Sequence, residues 1–213
     1  MEELLKNLNP TFQLLVLMAV MTFLPLVFIT MTSFLRFVIV FSILKTAMGT
    51  QQVPPGMVLI GLSVILTLYT MSPVFSDVYQ AGYKPYQENG SIVEALKEGS
   101  EPLKMFMMKQ TRQKDLAFFI EAIGGKPPAT PKDISLFEVA PAYIMSELKT
   151  SFEIGFIIFI PFIVIDLIVA NILLALGMFM LSPTIISLPF KLLIFIAVDG
   201  WSLIVNGLVQ SFN

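Results

Sequence analysis

The chain has 213 residues, of which 56% belong to the apolar set AVILMFWYC and only 13% are charged; 13 Lys and Arg face 15 Asp and Glu, for a net charge of −2. Soluble domains carry about 25% charged residues, so with a mean hydropathy of +0.83 the composition excludes an ordinary water-soluble globule. The weakly acidic balance offers nucleic acid no attractive field. The absence of both histidine and cysteine removes disulfides, thiol nucleophiles, the usual zinc and haem sites, and every Ser–His or Cys–His catalytic arrangement.

The chain opens on Met1-Glu2-Glu3, with Lys6 as the only base before a long apolar run. This is not the basic start and short apolar core of a cleavable signal, so the first segment is expected to stay in the protein. Residues 7–35 and 46–76 carry no charge, and a helix needs about 20 apolar residues to cross a hydrocarbon core. Arg36 and Lys45 flank the connection between these two runs. Most of the charges gather in residues 77–151. A third apolar run, 154–181, is interrupted by Asp166, and a fourth, 188–209, contains Lys191 and Asp199. The pattern predicts an all-α membrane protein: a hydrophobic helical hairpin over residues 1–76, a small polar helical domain over 77–150, and a second hydrophobic hairpin over 151–213. Basic residues in short loops mark the cytoplasmic side. Arg36, Lys45 and Lys191 therefore place both connections in the cytoplasm and the central domain outside it.

Within the polar region, Ser100 is placed to cap a helix that Pro102 begins. Leu103, Phe106, Met107, Leu116, Phe119, Ile120 and Ile123 recur at helical spacing and predict one or two amphipathic helices. Gly124-Gly125 ends them, and the proline-rich residues 126–131 form a stiff loop. Ser135 with Glu138 makes a capping box, and the helix it starts can continue into the third apolar run. Met105, Met107 and Met108 read as core filling before they read as an adaptable partner surface. Asp115 and Glu121 fall on different helix faces and are expected to be solvated, so no paired carboxylates suggest catalysis.

Three features exceed what a plain membrane anchor needs. The first is proline within or beside the apolar runs: Pro25, Pro54, Pro55, Pro73, Pro161, Pro183 and Pro189. Each mid-helix proline frees a carbonyl that only neighbouring protein or water can satisfy. Gln51 and Gln52, just before Pro54-Pro55, either find partners inside packed protein or belong to a plain turn between two shorter helices. The second is charge: Asp166, Lys191 and Asp199 are costly in lipid and suit ionic links between helices or subunits better than an ion relay. The third is the apolar cluster Gly177-Met178-Phe179-Met180-Leu181. It can pack a helix end, or form a deformable seal, because unbranched thioethers repack around objects of varying shape.

Several strings make the sequence recognisable. Arg36-Phe37-Val38-Ile39-Val40 leads through Gly49-Thr50-Gln51-Gln52-Val53-Pro54-Pro55 to Met71-Ser72-Pro73-Val74. Ser146-Glu147-Leu148-Lys149 leads through Pro161-Phe162-Ile163-Val164-Ile165-Asp166-Leu167 to Leu188-Pro189-Phe190-Lys191 and Val198-Asp199-Gly200-Trp201. In these the chain resembles the FliP family of flagellar export-gate proteins, whose virulence type III secretion relatives are called SctR. Departures from the family pattern are Lys45-Thr46 for Arg-Asn, Gly56-Met57 for Asn-Gln, Phe179 inside a methionine triplet, and Ser182 for proline.

The resemblance implies a non-enzymatic protein without cofactor or metal. It implies a pentameric ring in the bacterial inner membrane at the flagellar basal body, joined by FliQ-like, FliR-like and FlhB-like subunits, through which unfolded flagellar proteins pass. It assigns Met178, Phe179 and Met180 to a pore gasket, and suggests an assembled core standing largely above the bilayer plane. The alternative from residues alone is a secondary ion or solute transporter. That class usually shows internal repeats and a midplane polar cluster, whereas the two hairpins here do not resemble each other. A membrane enzyme would have to work without a clustered set of Asp, Glu, Lys, Ser or Tyr. Finally, a turn placed at residues 182–187 puts Lys191 beside the turn and Asp166 ~20 Å further along at 1.5 Å per residue. On that register the two charges meet only between neighbouring subunits.

Overall fold

The computed structural model describes residues 10–50, 53–90, 92–122 and 134–212. Among these residues there are eight helices and no strand. They are α1 (Pro10–Met31), α2 (Phe34–Met48), α3 (Gly56–Asn89), α4 (Ile92–Gln110), α5 (Gln113–Ala122), α6 (Leu136–Ala175), α7 (Pro183–Ala197) and α8 (Gly200–Gln210). The expected all-α membrane class is thus observed. By length and composition, α3 and α6 can each cross a membrane, and α1–α2 and α7–α8 qualify if each is counted as one broken span. Gln51, Gln52, Ile123, Gly124-Gly125 and the loop at 126–131 lie outside the described residues.

The chain forms two compact units, each drawn from two separate stretches. One comprises the chain up to Leu35 together with Leu68–Glu147; the other comprises Arg36–Thr67 and the chain from Leu148 onward. In the first unit the amphipathic periodicity of α4 and α5 points inward as expected. Met107, Ile120, Ile134, Val139 and Tyr143 are buried together, with Phe106, Met108 and Leu116 packed against them. Met107 is core, whereas Met105 is half exposed. The capping box at the start of α6 is formed. The Ser135 N–H donates to Glu138 Oε2 (2.7 Å), and the Phe137 N–H donates to Ser135 Oγ (3.3 Å).

Two expectations for this unit are corrected. Pro102 does not begin a helix but lies inside α4, and Ser100 Oγ donates back to the Lys97 carbonyl (2.8 Å) instead of capping. One missing N–H in a helix anchored by a buried apolar face is insufficient to end it. Asp115 is buried rather than solvated. It is the third residue of α5, and Ser146 Oγ donates to its Oδ2 (2.7 Å) while accepting the Arg112 N–H (3.0 Å). A glutamate there could reach back to the helix start by itself; the aspartate is one carbon shorter, and the hydroxyl from α6 spans the gap.

In the second unit α2 is buried nearly all round: Phe37, Val40, Phe41, Leu44, Ala47 and Met48 are covered, and only Ser42 and Thr46 are exposed. Phe162, Ile165, Val169 and Leu173 give α6 a narrow buried stripe. Gly155 lets α6 approach closely, since a Cβ there would sit 2.4 Å from Ile43 Cδ1. The stretch from Arg36 to Lys45 is therefore a helix, not a connection, and Arg36 is not a loop base. Its guanidinium is buried, donates to Ser211 O (3.1 Å) and Ser211 Oγ (2.8 Å), and stacks 3.8 Å from the Phe212 ring centroid. Oxygen acceptors and an aromatic face give a buried guanidinium what water would otherwise supply. The residues expected to break helices were Gln51, Gln52, Pro54, Pro55, Pro161, Pro183 and Pro189; of these, Pro161 and Pro189 lie inside the unbroken helices α6 and α7.

Candidate functional site

The site is built around the turn from α6 into α7. At the end of α6 the Met178 N–H bonds the Leu173 carbonyl (2.9 Å) and the Gly177 N–H bonds the Leu174 carbonyl (3.0 Å). Gly177 has φ +72. This pairing is a Schellman motif, which requires a left-handed residue and so favours glycine. It satisfies orphan carbonyls and sends the chain sharply away from the helix axis. After a short loop, Ser182 takes an extended conformation (φ −71, ψ 118) and Pro183 occupies the first turn of α7. There its lack of an N–H costs nothing.

The loop between carries the three residues expected to form a gasket. Met178 is 43% exposed, Phe179 75% and Met180 99%. Three consecutive apolar side chains are thus held outward at the tip of a hairpin whose two ends are both fixed by helix termini. The exposed apolar surface continues onto α7, where Ile185, Phe190, Leu193 and Ile196 face outward.

Below the loop, Asp166 and Lys191 form an ion pair within one chain. Lys191 Nζ lies 2.7 Å from Asp166 Oδ2 and donates a second bond to the Ala47 carbonyl (3.1 Å). Ser187 Oγ donates to Asp166 Oδ1. This corrects the expectation of a pair between subunits. The turn occupies residues 176–182, not 182–187. Asp166 lies nine residues before the end of α6 and Lys191 eight residues past the start of α7, so at 1.5 Å per residue both sit ~12–14 Å below the turn. The arrangement is well satisfied. The carboxylate receives one donor on each oxygen. The ammonium is buried and caps one of the last carbonyls of α2, at the negative end of that helix. Removing one partner of such a pair strands the other.

Ser187 did not figure among the expected site residues. The signal was available, because Ser187 precedes Lys191 by one helical turn and so shares its face in an otherwise apolar helix. The structure brings Asp166 and Lys191 together and places Arg36 with Ser211 and Phe212. Among the described residues the side chains of Lys45 and Asp199 make no hydrogen bond or ion pair. Asp199 lies where α7 and α8 meet at 63°. It takes a left-handed conformation (φ 51, ψ 52), and its side chain makes no capping bond. Pro54 and Pro55 lie in the segment between α2 and α3.

Comparison with known proteins bears on what this arrangement serves. The family model described as "FliP family" matches residues 17–208. The chain is 49% identical over 208 residues to the flagellar biosynthetic protein FliP of Bacillus subtilis, covering 97% of this chain and 94% of that protein. It is 48% identical over 201 residues to the protein of the same name from Pectobacterium carotovorum, covering 94% and 78%. It is 43% identical over 207 residues to the Yop proteins translocation protein R of Yersinia pestis, covering 94% and 95%. These alignments run through the loop, the ion pair and the polar region without restriction to one end, and on them the chain belongs to the FliP family.

Proposed function

We propose that the chain is a core pore-forming subunit of a type III protein export gate, passing unfolded flagellar proteins across the bacterial inner membrane. It works in a homo-oligomeric ring, a pentamer by family expectation, joined by FliQ-like, FliR-like and FlhB-like subunits at the flagellar basal body. Two helices long and apolar enough to span a membrane support the location. The polar region between α3 and α6 is assigned to the extracytoplasmic side. With Arg36 and Lys191 engaged internally, that orientation leans on Lys45 at the end of α2. The family gives the transporter alternative no support.

The observation that carries the reading is the loop at residues 176–182. Met178, Phe179 and Met180, the last almost fully exposed, form an apolar tip that is expensive to leave in water. Converging from several subunits, they would exclude hydrated ions, and methionine would yield to a passing polypeptide. The test is to replace Met178, Phe179 and Met180 together by Ala in the complete complex. The expected result is a raised passive flux of ions or small solutes through a particle of unchanged mass. An assembled particle that stays as tight as the parent would show that the loop packs and does not seal.

A further inference from the structure

Across the 63° bend between α7 and α8 the chain changes which side chains it turns outward. On α7 the polar groups point in: Ser187 and Lys191 are buried, while Ile185, Phe190, Leu193 and Ile196 are exposed. Helix α8 does the reverse. Its packed side is apolar. Gly200, Leu208 and, just past the helix end, Phe212 are buried, with Trp201 against Phe41 (ring centroids 6.4 Å) and Phe212 against Phe37 (5.5 Å). Its hydroxyl and carboxamide side chains, Ser202, Asn206 and Gln210, are all exposed and make no hydrogen bond among the described residues. At a spacing of four residues they form one stripe along the helix. Asp199, also exposed, extends it by one turn, to ~16 Å in all at 1.5 Å per residue.

The rotation of α8 is set by the aromatic packing of its other side, so the stripe cannot turn inward to find partners. Hydrocarbon is excluded as its surroundings, because unpaired amides and a carboxylate are costly there. A fixed protein partner would have to match donors and acceptors at successive turns of the helix. Water meets that demand in any register, and so does an extended polypeptide moving past, whose peptide groups both donate and accept. Ser, Asn and Gln each offer a donor and an acceptor without charge. They can therefore wet a passing chain of either charge without holding it.

We propose that the Ser202, Asn206 and Gln210 face of α8 is a wall of the water-filled conduit and touches the unfolded polypeptide during its passage. It rests on the export reading above and extends the path of the exported chain from the loop at residues 176–182, past the far end of α7, onto α8.

The chain contains no native cysteine, so single thiols report without background. Ser202→Cys, Asn206→Cys, Gln210→Cys, Met178→Cys and, on the outward apolar face of α7, Leu193→Cys are each placed in the complete complex. The first measurement is modification of the purified particle by a small charged methanethiosulfonate, scored against the same particle after denaturation. The thiols at positions 202, 206 and 210 should react about tenfold or more faster than the one at 193, since the reactive thiolate is suppressed in apolar surroundings. The second uses a flagellar export substrate fused to a stably folded domain, which halts the chain in the conduit, with one cysteine walked along its unfolded part. Disulfides to it are expected from positions 202, 206 and 210 as well as from 178. Stripe thiols no more reactive than the one at 193 mean that a partner covers the face, and overturn the proposal. So do stripe thiols that never join a halted substrate which does join position 178; both results leave the export reading standing. A halted substrate that joins none of the four positions, 178 included, overturns the conduit reading and the wall with it.

Discussion

At Thr32–Ser33 the chain passes from α1 to α2 by means of side-chain hydrogen bonds; at Val198–Asp199 it passes from α7 to α8 by backbone torsion. The first break is buried. Thr32 Oγ1 donates to the Phe28 carbonyl and accepts the Phe34 N–H (3.3 Å). Ser33 Oγ pairs with Thr70 Oγ1 (2.7 Å), and the Tyr143 hydroxyl donates to the Thr32 carbonyl (2.8 Å). Polar groups set free by the interruption are taken up by hydroxyls. The second break has no side-chain bond. Asp199 adopts φ 51, and Gly200 is pressed against the Phe195 ring, where a Cβ would lie 2.3–2.8 Å from three ring atoms. Phe195 is itself held by Phe162 (6.2 Å) and, edge-on, by Trp201 (5.4 Å). An apolar helix pair can thus be broken by importing acceptors and donors, or by sterics and an uncommon torsion. The first route needs distant partners; the second is almost wholly local.

The comparison can be broken most sharply at Gly200. Gly200→Ala forces a methyl group into the Phe195 ring and should cost about 2–3 kcal/mol, the upper part of the overpacking range. The thermal midpoint of the purified protein should fall, and Phe195→Leu in the same chain should recover part of the loss. Recovery of nothing would mean that the ring does not dictate the glycine. Next comes Tyr143→Phe, which leaves the buried Thr32 carbonyl without its donor at about 1–2 kcal/mol. The same melting experiment reads it, and Phe195→Leu should give no relief here, because the partners of that ring are Phe162, Gly200 and Trp201. The smallest effect is expected from Asp199→Gly. Glycine adopts the left-handed region freely, so the stability of the isolated chain should be unchanged or rise by about 1 kcal/mol or less.

What was legible in the sequence is what local physics controls. The four apolar runs, the capping box of Ser135 and Glu138, the inward periodicity of Phe106, Met107, Leu116 and Ile120, and the exposed cluster Met178-Phe179-Met180 depend on residues a few positions apart. Asp199-Gly200 also carried a turn signal that charge alone obscured. The destinations of the charges were not legible. Arg36 looked like a loop residue because the oxygen atoms and the ring that bury it belong to Ser211, 175 residues away, and to its neighbour Phe212. Asp115 looked solvated because its donor, Ser146, comes from another helix. Asp166 and Lys191 were assigned to different chains because the turn was set a few residues late. Each residue of helix register moves a side chain by 1.5 Å along the axis, whereas an ion pair tolerates only fractions of that. Hydropathy sums over neighbours and survives such errors. The pairing of buried charges depends on atoms brought together from remote segments, so only the tertiary structure decided it.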